Sequence, residues 1–182
     1  MLELAAHILD IAENSVRAGA SLVEITIIED EAKNIFSIEI NDNGCGMTPE
    51  EIKKVFDPFY TTKKVRRVGL GIPLLSDAAQ RTGGDLSLTS VKGKGTNLKV
   101  TFEFNHIDRQ PLGDIIGTLV ILIAGNSFVD FLYKHRHNDR QFSLDTRIIR
   151  KEIDDLPINH PEILKYIRDV IDDGLEDIQS RA

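Results

Sequence analysis

The chain contains no tryptophan and a single cysteine, Cys45. One cysteine excludes an internal disulfide, so packing and hydrogen bonding must hold the fold. It also suits a reducing compartment. The absence of tryptophan removes intrinsic tryptophan fluorescence as a probe. Long apolar runs are missing too. The longest, Ile115 to Ala124, is broken by Gly117 and Thr118. It falls well short of the ~20 residues that span a bilayer and reads as a buried element. Nothing before Met1-Leu2-Glu3-Leu4 reads as a signal peptide. Basic residues are in deficit, 22 against 29 acidic, for a net charge of −7. That balance argues against nonspecific nucleic-acid binding, which needs a basic face.

What is present describes an ordinary globular chain. It has 182 residues, 41% hydrophobic and 28% charged, enough for one domain or one domain with a small appendage. There is no internal repeat and no low-complexity stretch. Positive charge is concentrated locally. Residues 53–67 hold Lys53, Lys54, Lys63, Lys64, Arg66 and Arg67 against Asp57 alone. Such a stretch is either a solvated loop or the contact surface for a small anionic ligand.

Periodicity predicts a helix over 2–18. Strands follow at 23–29 and 35–40, joined by a turn at 30–34. A short helix is expected over 49–55 with Thr48 as its cap. Another is expected over 71–82, with Pro73 tolerated in its first turn. Strands are expected at 85–91 and 96–104. A linker at 105–111 leads to a helix over 112–124, strands at 128–135 and 141–145, and helices at 147–155 and 161–178. In the first helix His7, Asp10, Asn14 and Arg17 fall within an arc of roughly 80°. Leu4, Ala5, Ile8, Leu9, Ala12 and Val16 lie opposite and are expected to face a sheet.

Four blocks carry the chemical signal: Asp10 to Arg17 (DIAENSVR), Asp42 to Met47 (DNGCGM), Phe56 to Lys63 followed by Gly69-Leu70-Gly71, and Gly93-Lys94-Gly95-Thr96. In this order they resemble the ATP-binding domain shared by histidine kinases, gyrase-type topoisomerases, the heat-shock chaperone ATPase and mismatch-repair ATPases (the GHKL superfamily). The resemblance covers residues 1 to about 104. The phenylalanine block resembles sensor histidine kinases. Glu13-Asn14-Ser15 with Ala18-Gly19-Ala20 resembles the mismatch-repair form of the first helix.

The resemblance implies an α/β (α+β) two-layer sandwich over residues 1–107. It would be a Bergerat-type mixed sheet with helices on one face, carrying a small C-terminal α+β appendage over 108–182. It implies ATP and Mg²⁺ as cofactors. Asn14 matches the magnesium-holding asparagine, and Arg17 a basic phosphate contact. Asp10 stands where hydrolysing members have a glutamate. It is therefore the candidate catalytic base, one methylene shorter, or else a carboxylate that only orders magnesium-bound water. Asp42 matches the aspartate that accepts from the adenine amino group, with Gly44, Gly46 and Met47 around the purine. Phe59, Tyr60, Thr61, Thr62 and Lys63 would begin a mobile lid over the triphosphate, and Gly69, Leu70, Gly71 and Ile72 would present amides to phosphate. Gly95 and Thr96 would complete the base pocket.

A sensor kinase carries its phosphate-accepting histidine upstream, and the sequence given has no stretch there to hold it. His135-Arg136-His137, expected in a hairpin, is an exposed polar turn, a phosphate acceptor or a metal site. Two functions compete. One is an ATPase or an anti-sigma-type protein kinase acting in trans. The other is a non-catalytic regulator whose partner surface is switched by ATP. The expected partners are ATP or ADP and a separate protein or phosphoacceptor, with a homodimer through the extension as a further possibility. Neither nucleic acid nor membrane is expected, and the expected location is the cytoplasm.

Overall fold

In the computed structural model the described residues are 3–56, 71–153 and 156–180. Helix α1 spans Leu4–Arg17, and the hairpin strands β1 and β2 span Leu22–Asp30 and Ile35–Asp42. Then come α2 (Pro49–Val55), α3 (Gly71–Arg81), β3 (Leu86–Val91) and β4 (Gly95–Glu103). The chain continues through α4 (Ile115–Gly125), β5 (Asp130–His137), β6 (Arg140–Asp145), α5 (Thr146–Glu152) and α6 (Pro161–Asp177). Each matches an expected element to within a few residues.

The six strands form one mixed sheet in the order β3-β4-β2-β1-β5-β6. Only β1 and β5 run parallel. The segment from residue 108 onward thus lengthens the same sheet, with β5 paired to β1 from Leu22↔Asp130 to Glu29↔His137. Alternation sends one residue in two to the helix-covered face. A single inward row runs Leu88, Leu98, Ile40, Ile25, Tyr133 and Leu144 across all six strands. The opposite face is polar, with pairs such as Glu24–Lys134 and Asn97–Glu39.

Helix α1 buries Leu4, Ala5, Ile8, Ile11 and Ala12 against this face. Its first amides lack a side-chain cap and are satisfied by the linker: Leu4 N donates to the Pro111 carbonyl at 3.0 Å, and Ala5 N to that of Leu112 at 2.8 Å. Helix α4, which is the long apolar run, packs against both α1 and α6. It begins at Ile115 and not at the expected 112, because Asp114 caps it by accepting from Gly117 N at 2.7 Å and Gly113 occupies the left-handed region at φ 77°. No helix among the described residues is long and apolar enough to cross a membrane.

The histidine pair forms no exposed turn. His135 and His137 point inward from β5 and are buried. Oε1 of Glu29, on the neighbouring strand, lies 2.7 Å from His135 Nε2, and His135 Nδ1 lies 2.6 Å from the Tyr133 hydroxyl. Ser180 closes the network by donating to Glu29 Oε1 at 2.6 Å. Burial and these bonds exclude a phosphate-accepting role for His135. Among the described residues no cluster of three metal-ligating side chains exists.

Candidate functional site

The site lies where the C-terminal end of β2 meets α1. Asp42 ends β2 facing inward and is 8% exposed. Both of its oxygens are held. Oδ2 accepts from the Ser15 hydroxyl at 2.7 Å and Oδ1 from the Gly44 amide at 2.9 Å. Its carboxylate is therefore fixed in direction before any ligand arrives. Ser15 belongs to α1, on the flank next to Asn14. Sequence reading passed over it. The one signal available was its place in Glu13-Asn14-Ser15, directly after the candidate metal ligand.

Three loops lock together around Asp42. Cys45 N donates to the Ala18 carbonyl at 2.8 Å, and Gly93 N to the Cys45 carbonyl at 2.7 Å. Gly46 (φ 60°) and Gly95 (φ 109°) sit in the left-handed region, and a Cβ on either would collide with a backbone carbonyl, of Val91 and of Asp42 respectively. Asn43 ties the loop to the start of β1, accepting from Ser21 N and Leu22 N at 2.8 and 3.0 Å. The Ser90 hydroxyl accepts from Met47 N at 2.8 Å and lies 2.9 Å from the Thr96 hydroxyl. Thr96 is the register partner of Asp42. The structure thus gathers Asp42, Gly44, Gly46, Met47, Gly95 and Thr96 into one loop assembly. After Met47 the chain enters α2 through a capping box: Glu51 N donates to Thr48 Oγ1 and Thr48 N to Glu51 Oε2. That hydrogen bond from Thr48 lowers the pKa of Glu51.

The polar stripe of α1 borders this assembly. Asn14 Oδ1 accepts from Arg17 at 2.9 Å, and Arg17 also pairs with Glu13. Asp10 lies one turn earlier and faces the first residue of α3. A Cβ at Gly71 would collide with Asp10 Oδ2, so glycine permits this approach. The amino end of α3, with Gly71 and Ile72, is thereby placed beside Asp10. The candidates Phe59, Tyr60, Thr61, Thr62, Lys63, Gly69 and Leu70 lie outside the described residues.

A carboxylate held from two sides, glycine loops that allow close backbone approach, and an asparagine on a bordering helix thus lie together. The family model described as histidine kinase-, DNA gyrase B- and HSP90-like ATPase matches residues 2–106. The chain belongs to this family. Its region 2–106 is an ATP-binding domain of that kind. Among sequence relatives, the sensor histidine kinase WalK of Bacillus subtilis (strain 168) is 32% identical over 89 residues, 46% of this chain and 15% of WalK. Sensor histidine kinase YxdK of the same organism is 28% identical over 99 residues, 50% of this chain and 30% of YxdK. The chain thus matches only a small part of these relatives' length. In fold it resembles the Aquifex aeolicus MutL ATPase domain complexed with ADP, with a TM-score of 0.52 and 19% identity over 80% of this chain and 63% of that one. These two sequence relatives are sensor histidine kinases, while the MutL ATPase domain shares the fold.

Proposed function

We propose that this chain binds Mg-ATP and acts in signalling or regulation, as an ATPase or as a kinase that phosphorylates a separate protein. The observation that carries this reading is the double anchoring of Asp42 by Ser15 and Gly44. It leaves a rigid acceptor for the adenine amino group, where guanine would present a carbonyl. From that acceptor the triphosphate would run along α1 toward Asn14 and Asp10, with the start of α3 on its far side.

The donor set suits magnesium. Asn14 offers a hard, neutral oxygen, and a metal with few protein ligands fits a site where phosphates supply the rest. Asn14 would hold the ion, exchanging its bond to Arg17 for the metal and freeing the guanidinium for phosphate. The ion would neutralise charge on the transferring phosphoryl group. Asp10 stands at the phosphate end as the candidate base. Its short arm, lying against Gly71, supports a second reading, in which nucleotide binding switches a partner surface without turnover.

The test is phosphate release from Mg-ATP by the wild type, Asp10→Ala and Asn14→Ala proteins. An enzyme releases phosphate, and Asp10→Ala abolishes release while nucleotide still binds. Tight binding with no release, and no phosphate transferred to any protein, contradicts the enzyme and leaves the switch.

A further inference from the structure

Phe128, in the turn after α4, is 98% exposed. Single exposed apolar residues are common and mean little by themselves. Here the backbone on both sides of the ring is held. Val129 N donates to the Asn126 carbonyl at 3.0 Å, and Asn126 Nδ2 donates back to the Leu122 carbonyl of α4 at 2.9 Å. Arg150 of α5 donates from one nitrogen to the carbonyls of Ser127 and Val129, at 2.7 and 3.2 Å, and from Nε to Asp130 at 2.8 Å. The ring is therefore presented on a fixed turn. An anchor ordered in advance loses little entropy when it binds.

The last turn of α4 supplies a matching surface. Ile121 is 59% exposed. Gly125, four residues on and so on the same helix face, is exposed, with open space where a Cβ would stand. Ala124 beside it is small and partly exposed. A protruding ring thus follows directly on a low apolar step. Two copies related by a twofold axis set each ring on the other's step, which is the self-matching arrangement of an isologous interface.

Charge selects the occupant. Residues 115–129 contain no charged side chain, in a chain of net charge −7. The neighbouring helix α6 instead exposes Glu162, Asp169, Asp172, Asp173 and Glu176. A second copy brought against α6 meets like charge, and one brought against the end of α4 does not. Area sets the strength. A buried aromatic contributes about 150–250 Å². Phe128, Ile121 and the step together come to roughly 400 Å² per copy, about half of what a standard interface buries on each partner.

We infer that the last turn of α4 and the Phe128 turn form the interface of a weak, reversible homodimer of this chain. Asp130 N donates to the Ser21 carbonyl at 2.9 Å, and Ser21 N to Asn43 Oδ1 at 2.8 Å, so the interface shares its end of the sheet with the Asp42 loops. The dimer requires no bound nucleotide and stands apart from the nucleotide reading.

The experiment is sedimentation velocity of the full chain over roughly 1 to 300 µM, the range of weak complexes, for wild type, Phe128→Ser and Gly125→Glu. The wild type should pass from monomer to dimer with a midpoint of tens of micromolar. Each variant should raise that midpoint at least tenfold, while thermal unfolding stays unchanged because both positions are exposed. Raising salt from about 50 to 500 mM should leave the dimer intact or tighten it, because salt screens the negative charge that the copies share. A wild type that stays monomeric throughout overturns the inference and leaves this face to a different protein. A dimer whose midpoint Phe128→Ser leaves within twofold, or one that salt dissolves, overturns it by placing the contact elsewhere.

Discussion

The Ser15 hydroxyl donates to Asp42 Oδ2 at 2.7 Å across 27 residues of sequence. This bond joins α1 to the carboxylate that ends β2. Removing the hydroxyl leaves Asp42 held by Gly44 alone. A bond to a charged group contributes about 1.5–3 kcal/mol, and a solvent molecule replaces part of it. Ser15→Ala should therefore weaken ADP binding about tenfold, as read by calorimetry. An unchanged affinity would show that Asp42 does not need orienting from α1.

Gly46 is, with Gly95, one of two tight points of the loop assembly. Alanine there must adopt φ near 60° and place its Cβ against the Val91 carbonyl. Backbone strain of this kind costs on the order of 1–3 kcal/mol before the collision is counted. Gly46→Ala should lower the midpoint of thermal unfolding by several degrees and abolish ADP binding. Gly93 has a similar φ of 79° but open space around its Cβ position, so Gly93→Ala should cost less and spare binding. Equal effects at the two positions would contradict the packing argument.

The sequence carries these loops plainly because their chemistry is local. Glycines in Asp42 to Met47 and at Gly95, and the Thr48–Glu51 capping box, report on backbone within a few residues of themselves. The same holds for the apolar face of α1. Ser15 was harder to read, because its partner is distant and a hydroxyl in a helix has many bland uses. The buried network was harder still. Strand alternation in Val23, Ile25, Ile27, Glu29 and in Phe131, Tyr133, His135, His137 does send all eight side chains to one face. What periodicity cannot supply is the parallel pairing of β1 with β5, which alone shows that Glu29 and His135 satisfy each other. The same pairing makes residues beyond 108 part of one sheet. Asp114 displaced the predicted start of α4 for a simpler reason, since its carboxylate caps the apolar run that follows it and leaves Leu112 outside the helix.

Tyr133 lies at the closed end of the buried network and is fully buried. Desolvation, followed by the charge of Glu29, raises its pKa well above the ordinary value, so it stays a donor or acceptor in its neutral form. Tyr133→Phe strands His135 Nδ1 in the core. The expected loss is about 1–3 kcal/mol in urea unfolding. A loss under a few tenths would mean that the ring finds another partner.

His137 gives the fold a pH signature. Burial lowers its pKa, but hydrogen bonds to Glu31 and the Ile178 carbonyl outweigh burial, so the folded value is raised. A raised histidine stabilises fully below its unfolded pKa of about 6.5, and that contribution disappears as pH rises through the folded value. The stability difference between wild type and His137→Gln should therefore be largest below the ordinary histidine pKa and shrink as pH rises above it. A difference that grows with pH would contradict the assignment. Using the difference isolates His137 from His7, whose lowered pKa acts with the opposite sign.

The central claim is that Asp42 reads adenine in a nucleotide site built on α1. Titration calorimetry of the full chain with ADP and magnesium, for wild type and Asp42→Asn, tests it most directly. Replacing the carboxylate by an amide puts a donor where the adenine amino group needs an acceptor. The account predicts measurable heat and saturable binding for the wild type and at least a hundredfold weaker binding for Asp42→Asn, with GDP poorly bound by both. No heat from the wild type, or an Asp42→Asn protein that binds ADP as well as the wild type does, would contradict it.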